Sequence, residues 1–348
     1  VVLVVNGPCD DSGHEDPGHP ERPGRSIAAR SAIADLHLES DLITVAPRAA
    51  SRAELLLVHQ GNYLDELGAF CYDGGGDIDQ DTYATYDSWS IAQHAAGGGL
   101  AVIEELRDRN EGVGFVVTRP PGHHALRDRA MGFCLLNNIA VSAAALSHQG
   151  ERVLIIDWDV HHGNGTQQIF WNDPNVLYVS THQSPLFPGT GAAGEVGGWQ
   201  AIDGTVNIPL PLGATGDILQ RAFEEVAGPV VEHFGPTWVL VSAGFDGHRA
   251  DPLAEFELTS GDFSRLAQLV ASLAPRPGRL ALFLEGGYDL DALRSSIHAS
   301  LAAVLGVSYT TEPHSHGGPG VDQLLHVRHE RRVAVETLRS LEAQEDAP

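Results

Sequence analysis

Asp157, Asp159 and His161 are spaced two residues apart in the run Asp157-Trp158-Asp159-Val160-His161-His162-Gly163-Asn164. In extended backbone such residues point the same way, so one face carries three metal-competent groups while Trp158 and Val160 face the other side. The run leaves Val153-Leu154-Ile155-Ile156, an apolar stretch that reads as a buried parallel strand. Carboxylates directly after a buried strand are costly unless paired or bound to a cation. Three further motifs lie at or just beyond apolar runs. Arg119-Pro120-Pro121-Gly122-His123-His124 sets adjacent imidazoles in a Pro/Gly loop, and Ser242-Ala243-Gly244-Phe245-Asp246 brings a lone carboxylate after a flexible glycine. Glu285-Gly286-Gly287-Tyr288 joins a tyrosine to paired glycines, which let backbone approach a ligand closely. Each motif alone is compatible with a polar turn or a core residue. Their company suggests metal-assisted chemistry.

The elements that must position them alternate. Candidate strands are Val1–Val5, Gly114–Thr118, Val153–Asp157, Val176–Ser180, Trp238–Ser242 and Leu280–Leu284. Candidate helices are Arg25–Leu38, Ser88–Arg107, Asn137–Ser147, Ile218–Glu232, Asp262–Leu273 and Leu290–Leu305. This order predicts an α/β fold, an open and mainly parallel sheet flanked by helices on both faces. Such sheets bind ligands at the carboxyl ends of their strands. The long Gly/Pro-rich loops Asn6–Pro23, Thr118–Gly132 and Thr181–Trp199 are of the kind that builds a site. No internal boundary divides residues 1–310, which we read as one catalytic domain. Thr310–Gly320 has the composition of a linker, and an Arg/Glu-rich helix over 321–344 is expected to pack back on the domain or to make a subunit contact.

At 348 residues and 43% hydrophobic content the chain can bury a large core. All 21 basic residues are arginine, which excludes lysine Schiff-base chemistry and a Walker-type phosphate loop. The formal charge of -25 disfavours binding to nucleic acid backbones and attracts cationic substrates such as basic peptides or polyamines, although acidity also serves solubility alone. No apolar run reaches membrane-span length, and Val1–Val5 reads as a first strand rather than a signal core. Cys9, Cys71 and Cys134 have no C-x-x-C spacing, so neither disulfides nor a cysteine metal site is expected, and a reducing cytoplasm fits best.

Taken in order, R-P-P-G-H-H, G-F-C-x-x-N-N, D-W-D-V-H-H-G-N-G-T, G-F-D and E-G-G-Y resemble the zinc-dependent histone deacetylase family, nearest its class II enzymes and bacterial amidohydrolase relatives. The resemblance runs from His14 and His19-Pro20-Glu21-Arg22-Pro23 to about residue 305. It implies the fold shared with arginase and hydrolysis of an N-acylated amine, with acetyl-lysine in a peptide or protein as substrate and acetate as product. Acetylated polyamine is the alternative substrate, and a non-catalytic acyl-lysine binder is the alternative of another class.

Carried over by residue, the resemblance makes Asp159, His161 and Asp246 the ligands of one Zn2+. Three protein ligands with an open position suit a catalytic zinc, and two carboxylates cancel its charge. His124 is implied as the general base, oriented by Asn164, with His123 beside it held by Asp157. A neutral amide partner leaves His124 less basic than a carboxylate would. Tyr288 is implied as the oxyanion donor. Gly132, Phe133 and Phe187 are expected to wall a narrow tunnel, Asp81 to accept substrate backbone amides at its rim, and Leu253 to stand where polyamine-selective relatives carry an acidic residue. Arg25 is expected along a product exit channel. A structural K+ is implied at Asp157, Asp159, His161, Ser180 and Thr181, and subunit contacts through the 14–23 loop and the tail would give a homo-oligomer.

Overall fold

A computed structural model describes residues 1–345. Its strands in chain order are β1 (Leu3–Asn6), β2 (Leu42–Val45), β3 (Gly75–Asp77), β4 (Tyr83–Thr85) and β5 (Val113–Val116). They continue as β6 (Val153–Asp157), β7 (Val176–Gln183), β8 (Thr205–Leu210), β9 (Trp238–Ala243) and β10 (Leu280–Leu284). Eight of them form one sheet in the order β2-β1-β5-β10-β9-β6-β7-β8, every neighbouring pair parallel. The remaining two, β3 and β4, make a separate antiparallel hairpin. Helices cover both faces, which is why the interior strands are apolar throughout rather than alternating. In β6, Leu154 and Ile156 enter one core with Trp158 and Val160, while Val153 and Ile155 enter the other.

The strand order decides where the chemistry can gather. The motifs after β5, β10, β9 and β6 lie far apart in the chain, yet these four strands are consecutive neighbours at the centre of the sheet. Their carboxyl ends therefore open on one place.

The edges differ from the expectation. The sequence predicts no strand at β2 or β8, and both are edge strands. Pro209 lies within β8, where a residue without an N–H is tolerated because one side has no partner. The predicted helix over 218–232 is instead two short helices, Gly216–Arg221 and Gly228–Phe234, joined through a π-helical segment at Ala222–Ala227. No helix among the described residues is long and apolar enough to cross a membrane.

Thr310–Gly320, linker-like in composition, is tied to the domain along its length. Glu312 accepts from His248 Nε2 (2.8 Å), the Ser260 N–H (3.1 Å) and Arg249, while Ser315 Oγ donates to Asp262 (2.6 Å). The helix Val321–Glu345 then buries Leu324 and Val327 in the core, and its Arg331 reaches Asp203 and the Thr205 carbonyl. Burial alone would raise the Glu312 carboxyl, but its hydrogen bonds hold it down to about 2. A depressed carboxyl contributes stability above its ordinary value of 4.5 and loses it as pH falls through about 2. Glu312→Gln is therefore expected to cost roughly 1 kcal/mol at neutral pH. Urea unfolding of both proteins should show the gap narrowing below that ordinary value; a gap unchanged by pH would contradict the assignment.

Candidate metal and acid–base site

Asp159 and His161 leave β6, and Asp246 leaves β9. One ligand atom from each lies within 4.8 Å of the others. His161 Nδ1 is 3.2 Å from Asp159 Oδ1 and 3.1 Å from Asp246 Oδ2. Backbone N–H groups fix the carboxylates: Gly286 donates to Asp159 Oδ2 at 2.8 Å and Val160 to Asp246 Oδ1 at 3.0 Å. The loops must come very close to do this. A Cβ on Gly244 would stand 2.0 Å from Asp159 Oδ2, and one on Gly286 would stand 2.0 Å from Asp246 Oδ2. Gly286→Ala should therefore displace a carboxylate of the cluster and, if the cluster holds zinc, weaken that binding by about 10- to 100-fold. A zinc titration of the folded variant checks this, and an unchanged affinity would contradict it.

Two buried carboxylates facing each other repel. Burial and then Asp159 push Asp246 up to about 7, whereas burial, which would lower His161, is outweighed by its hydrogen bonds to Asp159 and Asp246, which lift it to about 10. A divalent cation held among the three would take the place of these protons. The donor set of two carboxylate oxygens and one imidazole nitrogen fits Zn2+.

The tandem histidines follow β5, and their rings stand 4.0 Å apart. His123 Nδ1 is 3.0 Å from Asp157 Oδ2, which also accepts from Tyr178 Oη at 3.0 Å. Burial opposes the charged ring, but Asp157 and Asp159 raise His123 well above the usual histidine range. His124 Nδ1 instead meets Asn164 Oδ1 at 2.8 Å, and since a carbonyl oxygen only accepts, Nδ1 carries the proton and Nε2 is left to accept one. Burial, then His123 and His161, hold His124 well below the usual range. Two adjacent imidazoles are thus driven in opposite directions, the pattern that separates an acid from a base.

Asp81, Gly132, Phe133, Phe187, Leu253 and Tyr288 line one cavity of about 210 Å³ with His123, His124 and His161; Pro121 and Leu186, not singled out in the sequence, complete it. Gly132 and Phe133 both hold positive φ, 56° and 67°, which turns the Phe133 ring edge-on to Tyr288 at 5.6 Å. Tyr288 is 8% exposed, and burial raises its hydroxyl well above the ordinary range, so it remains a donor at neutral pH. Its N–H donates to Asp251 Oδ2 at 2.7 Å. Arg25 is fully buried behind it, its guanidinium 4.9 Å from the Tyr288 ring and donating to the Gly287 carbonyl at 2.7 Å. Ser180 faces Asp157 across the β6–β7 ladder, and the Thr181 hydroxyl is buried without a protein partner.

Tyr178 and Asp251 support the site without having been singled out as site residues. Tyr178 was legible in principle, since it precedes Ser180 by two in β7 and shares its face. The role of Asp251 depends on loop geometry and leaves no spacing signal.

Comparison with known proteins gives the family. A family profile described as the histone deacetylase domain matches residues 19–304. Histone deacetylase 10, chloroplastic, of Oryza sativa subsp. japonica is 38% identical over 331 residues, covering 88% of this chain and 73% of its own. The histone deacetylase-like amidohydrolase of Pseudomonas aeruginosa is 37% identical over 277 residues, covering 78% and 73%. The crystal structure of the HDA15 HD domain superimposes with a TM-score of 0.87 at 33% identity, over 100% of this chain and 99% of that one. By profile, sequence and fold the chain belongs to the histone deacetylase family, hydrolases that act on amide bonds.

Proposed function

We propose that the chain is a zinc-dependent deacetylase of N-acetyl-lysine side chains, releasing acetate. The observation that carries this reading is the cluster of Asp159, His161 and Asp246, within 4.8 Å of one another, beside an aromatic-walled cavity that His124 and Tyr288 also line. Zinc held by these three residues would polarise the acyl carbonyl and acidify the attacking water. His124, neutral and with Nε2 free, takes the proton from that water. Tyr288 Oη donates to the carbonyl oxygen as negative charge develops there. His123, held as an imidazolium by Asp157, stabilises that charge, and the protonated His124 returns its proton to the leaving amine.

Phe133 and Phe187 offer apolar faces to the aliphatic lysine stem, while Asp81 at the rim accepts from substrate backbone amides. A buried K+ held by backbone carbonyls of Asp157, Asp159 and His161, the Ser180 hydroxyl and the Thr181 carbonyl would balance Asp157; Ser180 stands opposite Asp157 in the β6–β7 ladder.

Leu253 on the cavity wall favours acetyl-lysine over acetylated polyamine, because it offers no charge to a second ammonium group. The expected result is a kcat/KM for an acetyl-lysine peptide at least about tenfold above that for N-acetylspermidine. The reverse order would assign the cavity to polyamines, and binding of the peptide without turnover would make the chain a reader of acyl-lysine.

A further inference from the structure

Glu285 is fully buried, and no step above uses it. It lies at the carboxyl end of β10, between β5 and β9 in the sheet. One oxygen, Oε2, accepts from two successive backbone groups of the tandem-histidine loop, the Gly122 N–H at 2.7 Å and the His123 N–H at 3.2 Å. The other, Oε1, accepts from Ser242 Oγ on β9 at 3.1 Å. Its own carbonyl accepts from Arg25, which also holds the Gly287 carbonyl. Its side chain thereby joins the loop that carries His123 and His124 to β9, the strand that leads to Asp246, and its backbone begins the loop that carries Tyr288.

The backbone gives a reason for a side chain of this kind. A Pro-Pro-Gly turn buried beside a sheet has N–H groups that water cannot reach, and a buried donor without an acceptor costs about 1–3 kcal/mol. The turn is wedged as well: a Cβ on Gly122 would stand 2.5 Å from the Asn138 nitrogen. Asn138 Nδ2 holds the Pro120 carbonyl at 3.0 Å, and the Thr166 N–H holds the His123 carbonyl at 3.2 Å. Those contacts fix the loop's carbonyls. Among the described residues, only Glu285 accepts from the successive Gly122 and His123 N–H groups, from which the chain runs directly into both imidazoles.

We propose that Glu285 is a positioning residue for the proton-transfer histidines, acting through the Gly122 and His123 amides and touching neither substrate nor metal. The inference rests on the proposed roles of His123 and His124. It makes a chemical distinction: an amide oxygen can accept from the same two N–H groups, whereas a thioether of similar bulk cannot.

Glu285→Met is expected to lower kcat by about 10- to 100-fold, the effect of a small misplacement of reacting groups. KM should stay within about threefold, because the cavity walls are untouched, and bound metal should be unchanged. Glu285→Gln should recover most of the lost kcat. Hydrogen–deuterium exchange of metal-free protein supplies a readout independent of turnover: the Gly122 and His123 amides should exchange faster in the Met variant and near the parent rate in the Gln variant. Should the Met variant not fold, Ser242→Ala, which frees one anchor of the carboxylate, is expected to speed exchange at the same two amides. Unchanged exchange, a Gln variant no better than Met, or metal lost in step with kcat would each overturn the proposal. Altered exchange with unaltered kcat would instead overturn the assignment of the histidines.

Discussion

Tyr288→Phe is expected to keep its metal and its fold while losing about 100- to 1,000-fold in kcat on an acetyl-lysine peptide. The substitution removes one hydroxyl and leaves what positions the ring. The Tyr288 N–H is held by Asp251, its ring packs edge-on to Phe133, and Arg25 stands 4.9 Å from it, none of which needs the phenol oxygen. The hydroxyl matters because it is a buried donor, protonated at neutral pH, whose hydrogen bond counts most where charge develops only in the transition state. KM should therefore change little. Steady-state kinetics with metal analysis of the same preparation checks this. A kcat within a few-fold of the parent would remove Tyr288 from the mechanism.

Asp246→Ala is expected to remove metal and turnover together. Asp246 is buried, faces His161 at 3.1 Å and receives the Val160 N–H, so its loss leaves two ligands and releases the loop that bears them. Two protein ligands rarely retain zinc against dialysis, and the catalysis that the ion supplies should fall by at least about a thousandfold. Elemental analysis after dialysis, beside kinetics, gives the test. Full metal occupancy with lost activity would mean that Asp246 acts on substrate rather than on the ion.

The four central strands were legible because burial on both faces leaves continuous apolar runs, and each was followed at once by residues with chemistry. The polar end of β7, at Thr181-His182-Gln183, was not, since His182 and Gln183 are buried by hydrogen bonds instead of apolar packing. The edge strand β8 was hidden by Pro209, a residue that argues against a strand everywhere except at an edge. For the site, spacing in one segment put Asp159 and His161 together. Spacing could not put Asp246, His124 and Tyr288 beside them, because that depends on the order in which β5, β10, β9 and β6 pair. The family resemblance supplied what local pattern could not. Supporting contacts from afar, such as that of Glu312 with His248 in the loop after Asp246, leave no local signature at all.

Whether one bound ion performs the hydrolysis is decided by turnover of an acetyl-lysine peptide by metal-stripped protein as zinc is added back, with bound metal counted at each step. The expected rate is negligible without the ion, rises in proportion to bound zinc and levels off at one ion per chain. Full turnover in the stripped protein, or a plateau reached only at two ions, would contradict it.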